Sequence, residues 1–192
     1  ARLEELSEVL NAGQLLPSMV DPWRLSVVMG VNVPSELERI AEFRSAWDGR
    51  GVLIDAIEYK VTSPGRVVTV SEEMPATCRR HFEVPIEGPY RQLIGAIGHA
   101  GAMAKVRTGG TAPELFPTSE QLTLFLLAVT RHRVAFKATA GLHHPFRGSY
   151  PITYAANAER QMMYGFVNLL VAAAELARAA RLVDHAAVRR RQ

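Results

Sequence analysis

The feature that most constrains this chain is its alternation of short apolar, β-branched runs with longer stretches whose apolar residues recur at helical spacing. A strand that returns parallel to its predecessor needs a crossover, usually a helix, so the alternation points to βα units around a mostly parallel sheet. Strands are expected at 25–31, 52–61, 81–86, 102–107 and 134–139. After Pro34-Ser35-Glu36, the residues Leu37, Ile40, Ala41 and Phe43 predict a helix over 35–47, ended by Asp48-Gly49-Arg50-Gly51. Gly88-Pro89 precedes a second helix over 90–100. Thr118 or Ser119 caps a third over 120–131, whose Leu122, Phe125, Leu126 and Val129 form an apolar stripe.

Two regions read differently. Thr62-Ser63-Pro64-Gly65 followed by Val67-Val68-Thr69-Val70 suggests a hairpin or excursion where a helix would otherwise belong. From 155 to 183 helix formers dominate, with Gly165-Phe166 as a kink or a break between two helices. Five convincing strands and at most a sixth fall short of the eight strands and typically about 250 residues of a closed barrel. The chain is therefore a shortened barrel, an open sheet or a barrel with pieces absent, and the fold expected is a TIM-barrel-like (β/α) repeat, complete or not, with a helical C-terminal segment over 155–192 packing on the sheet or on a partner. One domain over 1–192 is expected, since 192 residues at 48% hydrophobic content bury a sizeable core.

The chemistry concentrates at two strand ends that look like copies of one device: Lys105-Val106-Arg107-Thr108-Gly109-Gly110 and Lys137-Ala138-Thr139-Ala140-Gly141-Leu142-His143-His144. A period of two sets Lys105 and Arg107 on one face of the first strand, and Lys137 and Thr139 on one face of the second. Inward cations are costly unless a ligand or an opposite charge compensates them, so their convergence suggests an anionic or carbonyl ligand. Gly109, Gly110 and Gly141 permit close backbone approach to a phosphate or carboxylate, with Thr108 beside them. The alternative is a salt-bridge layer in which these cations pair with Glu58 and Glu83. His143 and His144 stand in the loop past the second strand, where imidazoles can contact substrate or exchange protons near neutral pH. No HExxH, CxxC or His-x-His pattern accompanies them, so no metal and no cofactor are expected. Tyr164 and Asn168, four apart, would share a helix face in apolar surroundings. Trp23, Trp47, Met162 and Met163 read as core or interface residues.

At these strand ends the chain resembles the deoxyribose-phosphate aldolase group of (β/α)8 proteins, over about residues 105–147. In that family a Lys-Thr-Ser-Thr-Gly type motif holds the Schiff-base lysine, and a Lys-Ala-Ala-Gly-Gly type motif supplies a second lysine. Lys105 and Gly109 match the first, and Lys137, Ala138 and Gly141 the second. Val106-Arg107 replaces the small hydroxyl residues of the family pattern. The resemblance implies class I aldolase-like lyase chemistry, with Lys105 as the amine and Lys137 as its cationic neighbour. A nearby ammonium and desolvation lower an amine's pKa, and Glu58 or Glu83 would shuttle the proton. Arg107 suits bidentate binding of a carboxylate or phosphate, which fits a phosphate-handling transferase-type barrel without a Schiff base. A noncatalytic ligand-binding or assembly protein is the third reading.

Composition supplies the remaining bounds. The formal charge of +3 is concentrated partly in Arg189-Arg190-Arg191, a solvated run. The expected partners are a small anionic or carbonyl metabolite and a second copy of the chain in a homo-oligomer, with neither nucleic acid nor membrane. One cysteine, Cys78, excludes an internal disulfide and suits a reducing compartment. No run approaches the roughly 18 apolar residues of a membrane span, and no secretory signal opens the chain, so a cytoplasmic location is expected. The first residue is Ala1, which suits a processed or trimmed product.

Overall fold

The computed structural model describes residues 2–13 and 20–189, the last seven of these as backbone only. Arg190 and Arg191 of the basic run lie outside the described residues. Helix α1 (Leu3–Asn11) precedes β1 (Trp23–Val28), and α2 (Val33–Trp47), β2 (Val52–Lys60), α3 (Pro64–Glu73) and β3 (Arg79–Val84) follow. The chain continues through α4 (Tyr90–His99), β4 (Met103–Arg107), a 3-10 turn at Pro113–Leu115, α5 (Ser119–His132) and β5 (Phe136–Thr139). It ends with β6 (Gly148–Pro151), β7 (Arg160–Met163) and α6 (Phe166–Arg189).

The chain divides into two compact units, Ala1–Lys60 with Thr69–His81, and Val61–Val68 with Phe82–Gln192. In the first, Asn32 precedes α2, whose Pro34 sits in the opening turn, where a missing N–H is harmless. Ile40, Phe43 and Trp47 form its buried stripe, and β2 contributes Ile54, Ala56 and Ile57. β1 and β2 run parallel, with a register shift that adds Asp55 between the partners of Leu25 and Ser26.

In the second unit, Thr118 caps α5 reciprocally: its hydroxyl accepts from the Gln121 N–H at 3.2 Å, and the Gln121 side chain accepts from the Thr118 N–H at 2.7 Å. Phe125 of α5 meets Tyr90 edge-on at 6.1 Å and Phe136 of β5 at 5.4 Å. Leu93, Ile94 and Ile97 of α4 are fully buried, as are Ala104 and Val106 of β4. The helix-facing side of β4 and β5 is therefore apolar, and alternation turns Lys105, Arg107, Lys137 and Thr139 to the opposite side.

The sheet overturns the barrel expectation. Five strands lie in chain order, β1-β2-β3-β4-β5, with β1 and β5 at its ends, and the only other sheet among the described residues is the antiparallel pair β6-β7. Beyond β5 the chain makes a hairpin instead of another βα unit, so among the described residues no sixth strand joins the sheet toward closure. The fold is α/β with an open, mostly parallel sheet rather than a TIM-barrel-like repeat.

Two local expectations are also corrected. The 62–70 region is the helix α3, not a hairpin: the Ser63 carbonyl accepts from the Val67 N–H, and Val67, Val70 and Met74 recur at helical spacing and are buried. Burial of that stripe overrides the strand preference of its β-branched residues. The 155–183 segment is not helical throughout. β7 occupies Arg160–Met163, and Gly165 marks a boundary before α6 rather than a kink within a helix.

Candidate functional site at two strand ends

Lys105 and Lys137 are register partners in the parallel pair β4-β5, as are Arg107 and Thr139. Paired residues of neighbouring strands lie about 4.8 Å apart and point to the same face. Glu83 of β3 meets this face with both oxygens. Lys105 Nζ stands 2.6 Å from Oε2, and Arg107 Nε stands 3.5 Å from Oε1. The Lys105 side chain is only 6% exposed and that of Glu83 12%, whereas Arg107 is 38% exposed. The Lys105-Glu83 pair is thus a buried ion pair with a more open guanidinium beside it.

Burying both charges costs several kcal/mol per ion before their attraction is counted, so such a pair is weak evidence for stability and a reason to look for function. Arg107 meets Glu83 through Nε, and its side chain is 38% exposed. The Thr139 hydroxyl next to it is buried and has no hydrogen-bond partner among the described residues. A half-open guanidinium and an unpartnered hydroxyl thus stand side by side at the carboxyl ends of two parallel strands.

The remaining strand-end residues have other engagements. Thr108 is fully buried; its N–H donates to the Thr139 carbonyl at 2.9 Å and its hydroxyl to the Ala140 carbonyl at 2.5 Å. Gly109 packs against Gly141 and the Phe116 ring, and Gly110 packs against Leu115. Ala140 and Gly141 both take left-handed backbone, at φ 64° and 72°. These residues join the two strand ends to each other. Glu58 belongs to β2 in the first unit, where its carboxylate accepts from the Ser26 hydroxyl at 2.6 Å.

The histidine loop serves the start of α6. The carbonyls of His144 and Pro145 accept from the N–H groups of Phe166 and Val167 at 3.0 and 3.1 Å, and Asn168 Oδ1 accepts from the Arg147 N–H at 2.7 Å. Two otherwise orphaned donors of the first helical turn are satisfied in this way. His144 stacks on Tyr150 with ring centroids 3.5 Å apart, and His143 is exposed. Tyr164 precedes α6, where its hydroxyl donates to Ser119 Oγ, so it does not share a helix face with Asn168. Met163 is buried while Met162 is exposed. Sequence reasoning missed Ser26 and Tyr150. Ser26 carried a signal in its place on the first strand, whereas Tyr150 lies on a strand too short to be recognised. Among the described residues no three His, Cys, Asp or Glu side chains gather as a metal site, and no helix is long and apolar enough to cross a membrane.

No family model matches the chain, and no curated protein and no solved structure matches it either.

Proposed function

We propose that this protein binds a small phosphorylated or carboxylated metabolite at the carboxyl ends of β4 and β5, and handles it electrostatically. The observation that carries the reading is the pairing of Arg107 with Thr139: adjacent donors on one face, a half-open guanidinium that meets Glu83 at 3.5 Å through Nε, and a hydroxyl with no hydrogen-bond partner among the described residues. Arg107 offers the planar fork that matches a carboxylate or phosphate, and Thr139 adds a neutral donor. Lys105 and Glu83 form the floor, with the carboxylate orienting both cations.

The test is thermal unfolding with inorganic phosphate or citrate as the probe, at constant ionic strength. A ligand that binds only the native state raises Tm with its concentration. The expected result is a saturable rise that Arg107→Gln abolishes and Thr139→Val weakens. A rise that persists unchanged in Arg107→Gln would overturn the proposal.

The second reading is class I aldolase-like chemistry with Lys105 as the Schiff-base amine. Its support is the register partnership of Lys105 and Lys137, since a neighbouring ammonium favours a neutral amine. Against it stands Glu83 at 2.6 Å, which favours the protonated form. Borohydride reduction in the presence of a small aldehyde or keto acid, followed by peptide mass measurement, decides between the two. An adduct on Lys105 selects the Schiff base, and its absence leaves the electrostatic reading.

A further inference from the structure

We infer that the open edge of β1 is a docking groove for an extended, basic peptide segment of a partner protein, taken up as an added strand. Among the described residues β1 stands at the end of the sheet and pairs only with β2. Trp23 and Met29 both donate their N–H groups toward that neighbour, to the carbonyls of Gly51 and Glu58 at 2.9 Å each. Backbone groups alternate sides along a strand of a parallel ladder, so odd-numbered residues face β2. Arg24, Ser26 and Val28 therefore turn their N–H and C=O groups to the open side. β1 contains no proline or lysine to blunt that edge, and the register shift adds its extra residue, Asp55, in β2.

A groove of about 1080 Å³ runs along this edge. Leu25, Ser26, Val27 and Val28 line it in succession, which four consecutive residues of a strand do only when a cavity follows the edge rather than one face. Helix α1 and the first turns of α2 form the opposite wall. α1 is held there by α2: Arg39 Nε and Nη2 donate to the two carboxylate oxygens of Glu4 at 2.6 Å each, and Trp47 Nε1 donates to Ser7 Oγ at 2.9 Å.

The groove's chemistry selects the occupant. Glu4, Glu5, Glu8 and Glu36 line it against Arg2 and Arg39, a net charge of −2 in a chain whose formal charge is +3. Leu3 and Leu6 lie between these acids, and Val28 on the facing wall is 65% exposed. An added strand satisfies the outward backbone groups of β1 with main-chain hydrogen bonds, while its alternate side chains address the wall. Lysine or arginine meets the glutamates, and aliphatic residues meet Leu3, Leu6 and Val28. A second copy of this chain pairing edge to edge would set acidic wall against acidic wall, which like-charge repulsion opposes. None of the groove residues belongs to the strand-end cluster, so the inference does not depend on the anion proposal.

The experiment is fluorescence anisotropy with a labelled peptide of about eight alternating valines and lysines, long enough to span the edge at roughly 3.3 Å per residue. The same peptide with glutamate for lysine serves as the comparison. The lysine peptide is expected to bind saturably and the glutamate peptide not at all. Val28→Pro removes an outward donor at an edge position that tolerates proline, and is expected to weaken binding at least about tenfold. Glu5→Lys with Glu8→Lys, both at exposed positions of α1, is expected to weaken the lysine peptide and admit the glutamate one. Equal binding of the two peptides, or unchanged binding by a Val28→Pro protein with native circular dichroism, overturns the inference. So does sedimentation showing a dimer that Val28→Pro dissociates, because the groove's occupant would then be a second copy.

Discussion

Gly109 and Gly141 pack backbone against backbone where β4 and β5 end, so closely that a Cβ on Gly109 would lie 2.6 Å from the Gly141 Cα. The reciprocal addition fails as well: a Cβ on Gly141 would lie 2.7 Å from the Thr108 carbonyl oxygen, at a residue whose φ is +72°. The two glycines let one strand end lock onto the other, and that lock places Arg107 beside Thr139.

Gly141→Ala is therefore expected to destabilise the protein by about 1–3 kcal/mol from overpacking, with roughly 1–2 kcal/mol more from the left-handed backbone. Urea unfolding should show a lower midpoint with an unchanged slope. Gly109→Ala should behave similarly through overpacking alone. An unchanged midpoint in both variants would show that the strand ends are not locked through these glycines.

The Lys105-Glu83 pair predicts strong non-additivity. Lys105→Met takes the closer cation from a buried carboxylate and leaves it the more exposed Arg107, and Glu83→Leu leaves a buried ammonium without this carboxylate, so each single change should cost about 3–5 kcal/mol. The double variant removes both charges and should lose distinctly less than the sum of the two. A double-mutant cycle by chemical denaturation measures this coupling. Additive losses would mean that the pair is solvated rather than buried.

The docking of α1 is expected to resist acid. Hydrogen bonds from the Arg39 guanidinium, helped by Glu4's own backbone N–H, lower the Glu4 carboxyl from 4.5 to about 2. A lowered folded pKa contributes stability above the unfolded value, lost as pH falls from 4.5 through about 2. Trp47 reports on α1 through its bond to Ser7, so its emission in a Trp23→Phe background should hold to about pH 3 and change below it. Arg39→Gln should move that change up toward 4.5, the ordinary carboxylate value. A transition near 4.5 already in the unaltered protein would show that the Arg39 contact does not hold α1.

How far the sequence could be read follows from how local each signal is. The alternation of runs found β1 to β5, and Thr118 or Ser119 as a cap marked the start of α5, because periodicity and caps act over a few residues. Period two also set Lys105 and Arg107 on one face, which both ion pairs to Glu83 require. α3 was missed because Val67, Val68, Thr69 and Val70 read locally as strand, while the burial of Val67 and Val70 that decides for helix is tertiary. β6 and β7 were missed because four-residue strands such as Gly148–Pro151 and Arg160–Met163 carry no alternation of their own. The strand-end glycines have the same letters whether they approach a ligand or another backbone. Only the fold shows Gly109 against Gly141, and the Thr139 hydroxyl beside Arg107 without a hydrogen-bond partner among the described residues.

The start of α6 supplies the last prediction. A Cβ on Gly165 would fall onto the Pro145 carbonyl, whose oxygen accepts from the Val167 N–H while that of His144 accepts from Phe166. Gly165→Ala must push the histidine loop off the helix and leave those two donors unsatisfied, a loss comparable to that of a helix cap, about 1 kcal/mol or more. The effect should be local, since the loop from Leu142 to Arg147 borders solvent at His143, Pro145, Phe146 and Arg147. Limited trypsin digestion should therefore accelerate at Arg147, with the rate elsewhere unchanged, and the stacking of His144 on Tyr150 should weaken as a shift of the His144 ring protons. If cleavage at Arg147 keeps its original rate in Gly165→Ala, the carbonyl contacts do not anchor the loop.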